Sequence, residues 1–177
     1  MDTMKSGLTT HQITIPESDD WVLRVKESAK SNVKKYGSCT QGILAAFMQE
    51  FGINDPMVMR SAGAMHLGMV SSLTCGIHTA GLMTLGLIMG RGKLEMGMDG
   101  LLPIFLPAQE LIKRLNGRLG SHSCKELTGV DFTDLKQVTK FRYSKAHKKC
   151  ICRTADGAEE IGLFLKELEE NGDLFQI

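Results

Sequence analysis

Residues 61–90, SAGAMHLGMVSSLTCGIHTAGLMTLGLIMG, run for thirty positions without an Asp, Glu, Lys or Arg. That length is enough to cross a bilayer. His66, Ser71, Ser72, Thr74 and His78, with interspersed glycines, give the stretch a polar centre that divides it into two shorter apolar segments. No basic run favours one flank. The pattern therefore predicts two buried core helices, 57–70 and 75–90, and no membrane span. Asn54-Asp55-Pro56 supplies the start of the first, with Asp55 as cap and Pro56 in the first turn. Gly76, Gly81 and Gly86 each cost about 1 kcal/mol against alanine in a helix interior, so something must pack closely against them.

Working outward, Ser18-Asp19-Asp20 before Trp21 reads as a cap for a helix over 20–36, stopped by Gly37. Ile43, Leu44, Phe47 and Phe51 recur at helical spacing over 39–51, closed by Gly52. Pro103 and Pro107 lead into a helix over 104–116, ending at Asn116-Gly117. Cys124–Leu127 forms a short helix. Asp156-Gly157 precedes a final amphipathic helix whose stripe is Ile161, Phe164, Leu165 and Leu168. Strand signals are scarce. The expected architecture is an all-α, single-domain bundle of six or seven helices with a Gly-rich central helix pair, over 21–177. Residues 1–20 form a polar N-terminal segment containing Ile13-Thr14-Ile15-Pro16.

With 177 residues, 42% hydrophobic, the chain is long enough for one sizeable core. A net charge of +1 gives no general reason to expect nucleic acid or an acidic membrane as partner. Residues 135–153 are the exception, with Lys136, Lys140, Arg142, Lys145, Lys148, Lys149 and Arg153 and no acid among them. A solvated helix face explains such a run without specific nucleic-acid recognition. The first ten residues lack a secretory pattern, which places the protein in the cytoplasm. No P-loop, dinucleotide fingerprint or paired-carboxylate pattern supports a hydrolase or kinase. The eight methionines from Met57 to Met98 lack a tight metal-binding series and read as core.

Five cysteines carry the chemistry: Cys39, Cys75, Cys124, Cys150 and Cys152. Permanent disulfides are rare in a cytoplasmic chain, and neither zinc-ribbon knuckles nor a haem attachment sequence is present. Any one of them can simply fill core space. Cys39, Cys75 and Cys124, however, each sit at an expected helix start, where the helix dipole favours a thiolate. Thiolates serve metal binding and disulfide exchange alike. His78, three residues after Cys75 and on nearly the same helix face, is a candidate alternate ligand or supporting partner. A satisfied core histidine is the plainer reading. Cys152 is a candidate substitute for Cys150, and Lys148, Lys149 and Arg153 would favour negative charge beside it.

Ser38-Cys39-Thr40-Gln41-Gly42-Ile43-Leu44, the Thr74-Cys75-Gly76 core of residues 63–86, Cys124-Lys125-Glu126-Leu127-Thr128-Gly129 and Lys149-Cys150 together resemble the C_GCAxxG_C_C family of redox proteins. The resemblance spans roughly residues 30–170. The family's central motif departs here, since Gly76, Ile77, His78 and Thr79 follow Cys75, without the usual alanine and final glycine. The family is similar to the C-terminal part of split-Soret cytochrome c, in which a related helical domain carries a two-iron, two-sulfur cluster. The resemblance thus implies an electron-transfer protein with a 2Fe–2S iron–sulfur cluster on Cys39, Cys75, Cys124 and Cys150, a redox partner protein and a homodimer. Zinc suits the same four thiolates as a second cofactor. Two other readings stand beside it: a cluster-free thiol–disulfide redox protein or sensor, and a structural or interaction protein without the chemistry.

Overall fold

The computed structural model describes residues 13–18 and 20–174; Asp19 and most of the 1–20 segment lie outside the described residues. The fold is a single all-α domain. Among the described residues it contains no strand, only an isolated antiparallel bridge between Thr74 and Ser123.

The first helix, α1 (Trp21–Tyr36), ends at Gly37 in the left-handed region. Asp20 precedes it without a side-chain cap bond and instead pairs with Arg24 one turn on, at 2.5 Å. Next come α2 (Cys39–Glu50), capped by Ser38, and α3 (Pro56–Ser61), capped by Asp55. Here expectation and structure part. The helix predicted over 57–70 ends at Ser61, and only one member of the predicted central pair exists, α4 (Gly76–Met89). Between them Leu67, Gly68, Met69, Val70 and Ser72 all take positive φ, from 53° to 64°. A right-handed helix cannot continue through such a run.

The fifth helix, α5 (Leu102–Leu119), passes through Asn116-Gly117 and stops at Gly120, φ 90°. Its expected apolar positions divide: Leu111 and Leu115 are buried, whereas Phe105 and Leu106 face solvent. The short α6 (Cys124–Thr128) and α7 (Leu135–Phe141) follow. The last helix, α8 (Lys145–Glu170), begins eleven residues before Asp156 and runs through Asp156-Gly157. Ser144 caps it by accepting from the His147 amide at 3.1 Å. Gly157 continues the helix because α8 presses on α4 there, and a Cβ would strike Ile77 Cγ2.

α4 is the centre of the domain, packed against α2, α5 and α8. Ile77, Leu85 and Ile88 of α4 join Val25, Ile43, Phe47, Leu111, Ile161 and Leu165 in one apolar core. Trp21 and Phe47 meet edge to face, so large rings also anchor this interior. Each fully buried Leu, Ile or Phe contributes roughly 1.5–3 kcal/mol. Of the α4 glycines, Gly76 meets Cys39 and Thr40 and Gly81 meets Ile161 and Leu111, while Gly86 has no close neighbour. The methionines are only partly core: Met89 is buried, but Met57 and Met98 are more than 60% exposed. No helix of the described residues is long and apolar enough to cross a membrane.

Candidate functional site

Three thiols are set by helix starts. Cys39 opens α2, where the Ser38 hydroxyl accepts from the Gln41 amide at 3.2 Å. Cys124 opens α6, where Ser123 accepts from the Glu126 amide at 3.2 Å. Cys75 is the extended residue just before α4. Its amide donates to the His122 carbonyl at 2.7 Å, and the Cys124 amide donates to the Leu73 carbonyl at 2.7 Å. These two bonds flank the Thr74–Ser123 bridge and hold Cys75 and Cys124 side by side. Cys150 comes from the second turn of α8, on the side that joins the core.

The left-handed segment 67–72 is built into this assembly. Backbone groups of Leu67 and Thr40 lie by the Cys39 thiol and favour its charged form, against the larger effect of burial. Gly68 lies so close to Cys124 that a Cβ would stand 2.7 Å from Cys124 Cβ and 2.7 Å from the Leu73 nitrogen. Ser72 fixes the far end, accepting from the Phe132 amide at 2.6 Å and donating to the Val130 carbonyl at 3.4 Å. Four non-glycine residues in a sparsely populated conformation are costly and persist only where surroundings over-determine them. Here the surroundings are two of the four cysteines and the 130–132 loop.

Each of the six pairings among Cys39, Cys75, Cys124 and Cys150 is close enough for charge on one thiol to disfavour charge on the other. The four thus lie in one neighbourhood. Burial pushes all four thiols up, Cys124 and Cys150 to about 12. The expectation that helix starts would favour thiolates is overturned for the protein without bound metal: desolvation outweighs the helix dipole. Arg153 works the other way on Cys150, and its guanidinium donates to the Leu127 carbonyl at the end of α6. All five thiols are free.

Among the described residues no three His, Cys, Asp or Glu side chains are arranged to hold a single metal ion. The four sulfurs are neighbours without forming a closed cage. His78 stays apart from them in function: its fully buried ring joins Asn116 Oδ1 through Nε2 at 3.1 Å, and burial lowers its pKa. Its Nδ1 has no hydrogen-bond partner among the described residues. Cys152 is exposed, on the outer face of α8 beside Lys148, Lys149 and Arg153.

Two features escaped the sequence. One is the left-handed segment, for which Gly68 and Ser71-Ser72 were the available turn signals. The other is a contact set around Gly76: Thr40 and Cys39 occupy the space of a Cβ there, and Thr40 Oγ1 lies 3.4 Å from Thr79 Oγ1.

Comparison with known proteins finds one family, described as "Putative redox-active protein (C_GCAxxG_C_C)", matching residues 37–162. This span contains all five cysteines and most of the chain. No curated protein and no solved structure matches.

Proposed function

The chain belongs to the C_GCAxxG_C_C family of redox-active proteins, and from that premise we propose that it is an electron-transfer protein whose Cys39, Cys75, Cys124 and Cys150 hold an iron–sulfur cluster of the two-iron type. The carrying observation is the mutual placement of these four free thiols, drawn from α2, the α4 start, α6 and α8. A two-iron cluster takes four thiolates divided between two irons. A single zinc ion asks for all four on one centre.

When bound, such a cluster supplies one-electron oxidation and reduction at thiolate-held iron. The chain's own residues set the conditions. Backbone groups of Leu67 and Thr40 beside Cys39, and of Ile77 beside Cys75, favour negative charge on sulfur. Arg153 adds a positive charge beside Cys150. Thr128 and Thr154 fasten the backbone by donating to the Cys124 and Cys150 carbonyls, at 2.7 and 2.9 Å. Leu67, Leu127, Phe132 and Phe141 belong to the same apolar cluster as Cys75, Cys124 and Cys150 and restrict water. Thiol–disulfide exchange is less well supported, because it needs an accessible thiolate and Cys39, Cys75 and Cys124 are buried.

The test is iron, zinc and acid-labile sulfide analysis with a visible spectrum, on protein purified without oxygen. About two irons and two sulfides per chain are expected, lost in Cys39→Ser and Cys124→Ser and retained in Cys152→Ser. Circular dichroism establishes that each variant is folded. Zinc alone, or neither metal nor sulfide, overturns the proposal.

A further inference from the structure

Three acids of α8 are engaged by cations from other helices. Glu159 pairs with Lys26 at 2.9 Å and with Arg118 at 2.8 Å, Asp156 with Arg118 at 3.8 Å, and Glu167 with Arg114 at 2.8 Å. The cations at the other end of the helix have no such partners. Lys145, Lys148 and Lys149 are exposed and form no ion pair among the described residues. Lys148, Lys149, Cys152 and Arg153 line an open cavity of about 420 Å³. α8 therefore carries unbalanced positive charge at one end only.

That end lies over the thiols. Cys150 is the least buried of the four and adjoins Lys149 in the chain. Arg153 links the surface to the interior, since it lines the cavity, reaches the Leu127 carbonyl of α6 and acts on Cys150. A macromolecule bound on this face would cover Arg153, which reaches α6 and acts on Cys150.

We propose that the face of α8 carrying Lys148, Lys149 and Arg153 is the docking surface for an acidic protein that exchanges electrons with the four-thiol site. The partner assignment rests on the electron-transfer reading above; the surface itself does not. Charge complementarity steers such encounters and fixes their orientation. An acidic protein fits better than nucleic acid. From Lys145 to Arg153 the helix spans only about 12 Å at 1.5 Å per residue, and the whole chain has a net charge of +1. Nucleic-acid binders typically spread a larger positive field along the phosphate track.

The experiment uses fluorescent poly-L-glutamate as the probe of an acidic protein surface and duplex DNA of equal length as the comparison. Anisotropy is recorded with the full chain at low and physiological ionic strength, with lysine acetylation mapped in parallel. Polyglutamate is expected to bind in a salt-sensitive way and to protect Lys148 and Lys149. The K148E/K149E variant should bind about tenfold more weakly, and K30E/K113E, which alters cations on α1 and α5, should bind as the parent does. An equal loss in K30E/K113E, absence of polyglutamate binding, or tighter DNA binding that protects the same lysines overturns the assignment. The two proposals fail separately: Cys39→Ser should lose iron yet keep polyglutamate binding, whereas K148E/K149E should keep iron.

Discussion

Thr40 Oγ1 lies 3.4 Å from Thr79 Oγ1 and also occupies, with Cys39 Sγ, the space that a Cβ on residue 76 would need. Counted from Cys75, positions 76 and 79 are those at which the family pattern has alanine and its later glycine, while Thr74 stands in place of the glycine before the cysteine. The departures at 76 and 79 are linked through one side chain, smaller at 76 and larger at 79. Gly76→Ala should lower stability by about 1–3 kcal/mol through overpacking, despite alanine's better helix propensity. Adding Thr40→Ala should recover part of the loss. Denaturant titration of the single and double variants measures the coupling, and simple additivity would show that the two positions do not share this space.

Gly68 combines a φ of 64° with contact against Cys124 and Leu73. Gly68→Ala should cost about 2 kcal/mol or more, since strain and overpacking coincide. Gly129 also has positive φ, 69°, but no neighbour within reach of a Cβ. Gly129→Ala should cost only about 1 kcal/mol. Thermal melts of both variants make the comparison, and equal losses would assign the whole effect to φ.

Metal-free protein should lose stability in alkali. Cys124 and Cys150 ionise near 12 when folded, against an ordinary value of 9.0. Between pH 9 and 12 the unfolded chain releases protons that the folded chain retains, so unfolding becomes more favourable as pH rises. The slope approaches about 1.4 kcal/mol per pH unit for each such thiol. Denaturation of metal-free protein at stepped pH tests the sign. Thiol labelling supplies a second readout: Cys152 should react in the folded state, and Cys39, Cys75 and Cys124 only on unfolding.

Asn116 accounts for the one hydrogen bond of the buried His78 ring. Asn116→Ala should cost about 1–3 kcal/mol by leaving Nε2 unsatisfied. Burial also lowers the His78 pKa below its ordinary 6.5. The unfolded chain then takes up a proton that the folded chain refuses, and this contribution to stability declines as pH falls below 6.5. His78→Phe should remove that part of the acid dependence. An unchanged acid limb in the variant would assign it to other groups.

Much of the helical plan was legible because caps and apolar spacing agree locally. Ser38, Asp55 and Ser123 each accept from an amide of the helix that follows, and Ile161, Phe164, Leu165 and Leu168 are buried as their spacing predicts. The 57–70 helix failed because its apolar pattern says nothing of Ser72 bonding to Phe132, sixty residues away. Asn116-Gly117 failed as a stop because Asn116 faces inward to His78, a role that a turn residue's local preference cannot reveal. Asp156-Gly157 failed as a start because Gly157 answers to Ile77 on α4. The four cysteines proposed as ligands were named from the family resemblance, and the structure adds that they are neighbours. Their raised thiol pKa was not legible, since helix starts are written in the sequence and burial is decided by packing.

The four thiols of the site span positions 39 to 150, so the first is made 111 residues before the last. At synthesis rates of about 5–20 residues per second, a nascent chain carries Cys39 for roughly 6–22 s before Cys150 is added. α8, which contributes that final sulfur, is also the helix that covers α1, α4 and α5. During translation the first three cysteines consequently lack both their fourth companion and the wall that shields them. Assembly of the complete set must wait until α8 has been made, which makes the incomplete chain the form most exposed to oxidation and to adventitious metal.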